Sequence, residues 1–325
     1  MTRRKPNLFL IGAMKAGTNY LRKLLKAHPD IFMCEPYEPS YFVDPRHLRR
    51  VYPEMWQQGL WRSEERYLEL FRPAGDAPIL GEASTSYTKL PLAPGAAERI
   101  AAFNPDARLI YLLRDPVERA ISHYWHMVRH HAERRPIADA FRRDAQFVAY
   151  SHYAMQLRPY LELCGRDRIA VVIYERLIAD PAGVMRSVYE WLEVDAAAAD
   201  PSGFAEPENV SPEIVSMAGW GGFPRRLRQA PQLRGVIERL PPAVQRTLHR
   251  LTTREVRRRA VDATEAVAFL QPLQLRQTEE LAQLLGCSFP EWTTLYGEPS
   301  PTTRLGSPSA PPQGPLTEHR HRQGQ

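Results

Sequence analysis

The chain has 325 residues, enough for one large domain or two smaller ones, and 43% of them are hydrophobic, which can fill a sizeable core. Its formal net charge of +6 suits an anionic ligand, a nucleic acid or a membrane surface. No apolar run approaches the roughly 20 residues that a membrane-spanning helix needs, so we expect a soluble, cytoplasmic protein. The three cysteines lie too far apart for a metal site or a disulfide framework, which also favours a reducing compartment.

Residues 7–29 combine three patterns that follow one another directly. Residues 8–11 form a short apolar run, which is typical of a strand buried on both faces. A tight loop over residues 12–18 follows, and from about Thr18 apolar residues recur with helical spacing until Pro29 ends the helix. Because small loop residues and a helix N-terminus both present backbone N–H groups, this unit predicts a site for a phosphate-like anion.

The loop resembles a nucleotide-triphosphate P-loop in spacing but departs from it in chemistry. Gly12 and Gly17 have the expected separation. Thr18 stands where the phosphate-binding lysine belongs, and Asn19 stands where a Ser or Thr would bind magnesium. The lysine comes earlier, as Lys15, so the loop is predicted to bind a phosphate-like group without a metal ion.

Residues 34–42 form a stiff, extended segment because they contain two prolines. This segment exposes two acids, Glu35 and Glu38. An acid held at the mouth of a parallel sheet can act as a general base toward a hydroxyl or an amine.

A helix is predicted over residues 63–71 with Ser63 as its cap, and residues 79–87 are predicted to form a strand followed by a polar loop.

A second strand–helix junction lies within residues 107–124. A buried-strand run ends next to Arg114, Asp115 is a well-formed N-cap, and Pro116 occupies the first helical position, where its missing N–H costs nothing. Ser122 lies about two helical turns further on. Because open parallel sheets bind ligands beyond the carboxyl ends of their strands, Arg114 is predicted to face a ligand.

The remaining segments carry weaker signals. They predict a helix through 131, another from 138 to 150, a strand over 169–174, a helix over 184–192, a loop-rich region over 196–222 and a helical region over 241–285 interrupted at Pro272. The arginine clusters at 225–228 and 254–259 are interpreted as solvated basic faces, with a polyanion-binding patch as the alternative. Residues 297–325, rich in Pro, Ser, Gly and Gln, are predicted to be a disordered tail behind a single domain of residues 6–296.

The segment GAMKAGTNYL resembles the 5′-phosphosulfate loop of sulfotransferases that use 3′-phosphoadenosine-5′-phosphosulfate (PAPS), in the branch of heparan-sulfate-type and bacterial enzymes. The resemblance covers about residues 6–194, with a weaker match at 284–292. It implies an α/β sulfotransferase fold with a P-loop-like central parallel sheet flanked by helices. An arginine before Asp-Pro and a serine eight residues later bind the 3′-phosphate in this family, and Arg114 and Ser122 occupy these positions.

The resemblance also assigns roles around the first loop. It implies that the 5′-phosphosulfate is bound by five consecutive residues, Lys15, Ala16, Gly17, Thr18 and Asn19. Lys15 would stabilise the leaving group, and Glu38 aligns with the glutamate of the family's K-E-P-x-x-F element, its proposed base. Tyr37 stands where that element often has lysine, and Ala83 stands where some heparan-type members have a lysine after a glutamate. Glu35 remains the alternative base.

These observations predict a PAPS-dependent sulfotransferase that needs no metal and acts on a hydroxyl or amine of a carbohydrate, a lipid or a small natural product. PAPS and an unidentified acceptor are the predicted partners; no nucleic acid and no membrane span are expected, and the oligomeric state stays open. A P-loop phosphotransferase and a non-catalytic polyanion-binding module are the alternatives. The contacts of a lid over the nucleotide cannot be placed from the sequence.

Overall fold

The computed structural model describes residues 4–131, 133–200, 213–218 and 253–297. A five-stranded parallel sheet lies at its centre, in the order β2-β3-β1-β4-β5. Its strands are β1 (Leu8–Gly12), β2 (Ile31–Met33), β3 (Ile79–Ala83), β4 (Arg108–Leu113) and β5 (Ile169–Ile173). The predicted central parallel sheet is therefore confirmed.

Helices surround this sheet in the described part of the chain. They are α1 (Thr18–Lys26), α2 (Pro45–Val51), α3 (Pro53–Gln58), α4 (Glu64–Leu68), α5 (Ala96–Phe103), α6 (Pro116–His131), α7 (Ile137–Arg143), α8 (Gln146–Ala149), α9 (Tyr153–Cys164), α10 (Tyr174–Ala179), α11 (Pro181–Leu192), α12 (Thr264–Leu285) and α13 (Thr293–Tyr296). An antiparallel pair, β6 (Ile214–Ala218) and β7 (Thr253–Arg257), completes the described elements.

The core follows from the sequence of the strands. Every residue of β1 and β3 is buried, and β4 is buried except at its first residue, because helices cover both faces of a parallel sheet. The start of α1 at Thr18 agrees with the prediction. The cap at Ser63 is also confirmed, since its hydroxyl accepts the Arg66 N–H at 3.2 Å.

Four predictions about helices and loops are wrong in detail. Helix α12 continues through Pro272, because its packing against α7 and α9 outweighs the lost backbone hydrogen bond. The helix predicted over residues 138–150 breaks at Asp144, whose carboxylate accepts the Gln146 N–H that starts α8. Strands β6 and β7 were missed inside regions predicted as loop and helix, because their pairing joins residues about 40 positions apart, which local periodicity does not reveal.

Several predictions fall outside the described residues, among them the basic face over residues 225–228 and the helical pattern over residues 241–252. The predicted disordered tail lies there from residue 298 onward, as does most of the region in which the lid was sought. Along the described ranges, no helix is both long enough and apolar enough to cross a membrane.

Candidate active site

The two strand–helix junctions predicted from the sequence meet at the carboxyl edge of the sheet. Strands β1 and β4 are neighbours, so the loops that follow them lie side by side. The Arg114 guanidinium donates a hydrogen bond to the Lys15 carbonyl at 3.3 Å. It also lies 5.1 Å from the ring centroid of Tyr174, which begins α10 at the end of β5. The structure therefore brings Lys15 and Arg114 together at this edge of the sheet.

Gly17 is required by the way this loop closes. Its φ of 95° lies in the left-handed region, and a Cβ atom here would come within 2.6 Å of the Tyr174 ring. Gly17 caps α1, so the amides of Thr18 and Asn19 begin the helix, where intrahelical acceptors are missing. The Ala16 N–H instead donates to the Ala13 carbonyl at 3.1 Å, so this amide already closes the loop.

Lys15 lies in an accumulation of positive charge. Burial lowers the pKa of the Lys15 ammonium, and the charges that lower it further all come from arginines: Arg114, Arg258, Arg129 and Arg119. Like charges at close range are costly, and an anion placed among them would relieve that cost. The site therefore has the electrostatics of an anion-binding pocket.

Helix α6 carries the second half of the site. Asp115 caps it, accepting the N–H groups of Val117 at 2.9 Å and Glu118 at 3.2 Å. Ser122 is buried on this helix, about 9 Å along the axis from Pro116. Arg119 is fully buried, and its guanidinium donates to the Ser151 hydroxyl at 2.5 Å, so it fastens α6 to the segment before α9.

The predicted base lies on a strained turn next to the phosphate loop. Glu38 has a positive φ of 57°, and one of its carboxylate oxygens accepts a hydrogen bond from the Thr85 hydroxyl at 2.9 Å. The hydroxyls of Tyr37 and Thr18 are hydrogen-bonded at 3.2 Å, which ties this turn to the start of α1. Tyr37 thus occupies the place of the family's lysine as a half-buried, neutral link, since desolvation and the neighbouring Glu38 raise the pKa of its phenol.

The alternative base, Glu35, has a different environment. Its side chain is 60% exposed and forms ion pairs with Arg22 at 2.5 Å and Lys26 at 3.3 Å. Burial raises the pKa of Glu35, but the hydrogen bonds and charges of Arg22 and Lys26 together outweigh it and lower the pKa. Glu35 is therefore a solvent-exposed carboxylate that two surface cations already pair with.

Comparison with known proteins places these features in a family. The profile of the sulfotransferase family matches residues 6–200. The chain belongs to this family. Enzymes of this family take the sulfuryl group from PAPS.

Individual members differ in how much of the chain they match. Mouse heparan sulfate glucosamine 3-O-sulfotransferase 3A1 is 31% identical over 201 residues, which are 58% of this chain and 45% of the relative. Human heparan sulfate glucosamine 3-O-sulfotransferase 6 is 29% identical over 211 residues, 61% of this chain and 55% of the relative. The chain thus spans about half the length of the curated relatives it matches. The crystal structure of a sulfotransferase from Alicyclobacillus acidocaldarius aligns with a TM-score of 0.62 at 26% identity, over 89% of this chain and 99% of that one.

The hydrogen-bond donors of the candidate site suit the charged groups of PAPS. Guanidinium and ammonium groups, together with helix-terminal amides, are the groups that proteins use for phosphate and sulfate oxygens. The cations around Lys15 provide them at one end of the site, and Ser122 adds a hydroxyl on α6. Within the described ranges, no group of three or more His, Cys, Asp and Glu side chains is arranged to hold a metal ion.

Three residues of the site were missed by sequence reasoning. Tyr174 packs on both Gly17 and Arg114, and its place at the end of β5 was the available signal. Arg258 is half-buried and its charge reaches Lys15, so interpreting residues 254–259 as a solvated face is wrong for this side chain. Lys89 is buried near Glu38, and no sequence pattern marked it.

Proposed function

We propose that this sulfotransferase transfers the sulfuryl group of PAPS to a hydroxyl group of a carbohydrate. The gathering of cations around Lys15 carries the proposal, because an anionic donor with two charged ends would neutralise it. The carbohydrate acceptor is proposed because the relatives described above are heparan sulfate glucosamine 3-O-sulfotransferases. Amines, lipids and small natural products are the acceptors that a wider screen would test.

Two groups of residues would hold the donor. Arg114 and Ser122 would bind the 3′-phosphate, since the guanidinium fork matches phosphate oxygens in pairs. The amides of Gly17, Thr18 and Asn19 would bind the 5′-phosphosulfate at the start of α1. Lys15 would lie beside the oxygen that joins phosphate to sulfate.

Sulfuryl transfer then needs a base for the acceptor hydroxyl and a cation beside the leaving group. Glu38 takes the proton of the acceptor hydroxyl while the acceptor oxygen forms a bond to sulfur and the bond from sulfur to the bridging oxygen breaks. Lys15 offsets the negative charge that develops on the bridging oxygen, and preorganised positive charge of this kind is usually a large part of catalysis. The products are a sulfate ester and adenosine 3′,5′-bisphosphate, and Glu38 returns its proton to solvent.

Binding of adenosine 3′,5′-bisphosphate tests the donor site. We expect this nucleotide to raise the melting temperature more than Mg-ATP does, because a ligand that binds the folded state stabilises it. Arg114→Ala should weaken the nucleotide about 10- to 100-fold, the loss of a charge-assisted hydrogen-bonded pair. Arg168→Ala is the matched control, because Arg168 pairs with Asp106 at the opposite edge of the sheet. Equal losses in both variants would refute the assignment of Arg114.

Measurements of turnover test Glu38 as the base and distinguish a sulfotransferase from the two alternative functions. With labelled PAPS and N-sulfated heparosan oligosaccharides, we expect Glu38→Gln to lose at least about 100-fold in turnover while still binding the nucleotide. Glu35→Gln, which changes a surface ion pair, should stay near wild type. Heparin binding without turnover would favour the polyanion-binding module, and stabilisation by Mg-ATP alone would favour the phosphotransferase.

We also propose a cytoplasmic location, on chemical grounds. The three cysteines are free thiols, and they lie in buried, half-buried and exposed positions without a partner thiol. Such a set persists in a reducing compartment. Fractionation of expressing cells with an antibody to the chain would test this, and recovery in a membrane or secreted fraction would refute it.

A further inference from the structure

A cavity of about 580 Å³ lies between α2 and the segment that leads into α5. Its volume is within the range of about 300–1,000 Å³ that small-molecule sites have. Helix α2 lines it with Arg46, His47 and Arg50, and residues 92–95 together with Arg99 line it from the other side. None of these residues belongs to the groups assigned above to the donor or to the base.

Arg46 and Arg50 are exposed cations on one side of α2. They lie four residues apart, so they share a helix face, and like charges in this arrangement slightly destabilise a helix. Among the described residues, no carboxylate forms an ion pair with either guanidinium. The third arginine of α2, Arg49, differs, because its guanidinium lies 5.5 Å from the ring centroid of Trp56. Arg46 and Arg50 are therefore two cations that face the same cavity without an ion-pair partner.

The acids that line the cavity, Asp44 and Glu98, both have roles within the fold. The Asp44 carboxylate accepts the Arg46 N–H at 2.8 Å as the cap of α2 and lies 3.7 Å from the Arg99 guanidinium. Glu98 belongs to the first turn of α5, where a negative charge stabilises the helix dipole. Among the lining residues, three guanidinium groups outnumber two carboxylates, so the cavity favours an anion.

His47 adds a polar group that the fold leaves unpaired. The residue is 8% exposed, and in the described part of the chain its buried Nε2 atom has no hydrogen-bond partner. Burial, and then the charge of Arg50, lower its pKa, so the imidazole is neutral near pH 7 and can donate or accept a hydrogen bond. Buried polar atoms usually have a partner, and a polar group bound in the cavity can supply one.

A short stretch of chain connects the cavity to the candidate base. Asp44 follows Glu38 by six positions, so even a fully extended chain would place them at most about 22 Å apart. Helix α3 contacts the same stretch, since the Ser40 hydroxyl donates to the Met55 sulfur at 3.2 Å. A chain-like acceptor whose reacting hydroxyl lies at Glu38 can therefore reach the cavity with a group several units away.

We propose that this cavity binds an anionic group of the acceptor saccharide, a sulfate or a carboxylate, on a sugar unit other than the one that reacts. The proposal rests on the proposed sulfuryl transfer to a carbohydrate. Arg46 and Arg50 bind the anionic oxygens, and Nε2 of His47 forms a hydrogen bond with the same group or with a neighbouring sugar hydroxyl. The subsite thereby selects acceptors that already carry negative charge at a set distance from the reacting hydroxyl.

Saccharide binding, measured by calorimetry without donor and without turnover, tests the cavity. A heparin-derived hexasaccharide should bind Arg46→Ala/Arg50→Ala about 10-fold or more weakly than wild type, because two charge-assisted contacts are lost. The same hexasaccharide after desulfation and carboxyl reduction is neutral, and the substitutions should not change its affinity. The control is Arg143→Ala/Arg186→Ala, which removes the same charge from exposed positions outside the cavity. Equal losses in the two double variants would mean that affinity follows net charge alone and would overturn the proposal.

The ¹⁵N signal of His47 Nε2 locates the bound group. It is identified by its absence in His47→Gln, and it should shift as the hexasaccharide is added, because Nε2 gains a hydrogen-bond partner. Inorganic sulfate at the same concentration should shift it little, since a free anion lacks the other contacts of the saccharide. An equal shift with sulfate would make the cavity a site for free anions, and an unmoved signal during saccharide binding would place the saccharide elsewhere. Either result would overturn the assignment.

Steady-state kinetics connects the cavity to the reaction. With PAPS and N-sulfated heparosan oligosaccharides, Arg46→Ala/Arg50→Ala should raise the KM of the acceptor about 10-fold and leave kcat near wild type, the pattern of lost uniform binding. The affinity for adenosine 3′,5′-bisphosphate should not change. A fall in kcat with an unchanged KM would refute a binding role. Absence of turnover in the wild-type protein would count against the proposed function, while calorimetry and the ¹⁵N signal would still decide whether the cavity binds an anionic saccharide.

Discussion

At the scale of single residues, the site is dominated by the charge of Lys15, which lies among other cations. Lys15 has a positive φ of 70°, in a backbone region that side chains other than glycine rarely occupy. Its ammonium lies among arginines whose charges lower its pKa. Strain and like charge at one residue are typical of a position kept for function rather than for stability.

Replacement of Lys15 should therefore separate activity from stability. We expect Lys15→Ala to lower kcat about 100- to 1,000-fold, the usual cost of one lost electrostatic group in a transition state. Adenosine 3′,5′-bisphosphate should still bind through Arg114. Without ligand, the variant should unfold at an equal or higher temperature, because a repulsive charge is gone. Lys26→Ala is the control for loss of a lysine, and near-normal turnover of Lys15→Ala would remove Lys15 from the mechanism.

Which site residues the sequence reveals depends on how they reach the site. Lys15 and Arg114 could be predicted because each follows a strand directly and carries a local motif. Tyr174 could not, because it contacts Gly17 and Arg114 only through tertiary packing. The sequence therefore reveals site residues that lie on loops directly after a strand. It does not reveal residues that contact those loops only in the folded chain.

At the scale of elements, Asp115 joins the start of α6 to the C-terminal part of the described chain. One of its oxygens caps α6, and the other accepts the Leu295 N–H of α13 at 3.0 Å. Trp292, fully buried and stacked on Phe289 with centroids 4.2 Å apart, anchors the same segment. The helix that carries Ser122 is thus fixed at its start from two directions.

Loss of the Asp115 carboxylate should lower the free energy of unfolding more than loss of an ordinary helix cap does. Asp115→Ala is expected to lower the free energy of unfolding by about 2 kcal/mol or more, because it removes a cap and leaves a buried amide unpaired. Ser63→Ala, which removes the surface cap of α4, should cost about 1 kcal/mol. Urea denaturation of both variants measures the difference, and equal costs would show that the Leu295 contact contributes nothing.

The length and regularity of each element explain why some elements could not be predicted. Periodicity located β1, β4 and α1, because each is long enough and its apolar residues recur regularly. It missed α2 and α3, which are short and lie in a charged, aromatic segment. It also placed a break at Pro272, where tertiary packing keeps α12 continuous.

At the scale of the whole molecule, two buried carboxyl groups couple folding to pH. Glu82 is fully buried on β3 and accepts the Tyr67 hydroxyl at 2.9 Å, and burial raises its pKa to about 7. Burial also raises the pKa of Glu175 to about 7, although it accepts the Asp115 N–H at 2.9 Å. Both groups lie in the sheet or at its carboxyl edge, so the packing that forms the site also sets this pH dependence.

The direction of the pH effect on stability depends on whether the folded or the unfolded chain keeps the two carboxyl protons. Between the ordinary glutamate value of 4.5 and about 7, the unfolded chain has released these protons while the folded chain still holds them. The contribution of each group to stability is therefore complete below pH 4.5, is lost as the pH rises to about 7, and changes no further above it. Each unit of pKa shift corresponds to about 1.4 kcal/mol.

Glu82→Gln should remove the part of the pH dependence of stability that arises from the Glu82 carboxyl group. The amide keeps the shape of the protonated carboxyl but does not titrate, so we expect the fall in melting temperature between pH 5 and pH 7.5 to shrink by several degrees relative to wild type. Glu162→Gln, at an exposed position on α9, is the control and should leave the fall unchanged. Scanning calorimetry across that interval measures both variants. A Glu82→Gln protein with the wild-type dependence would mean that Glu82 is already ionised in the folded state.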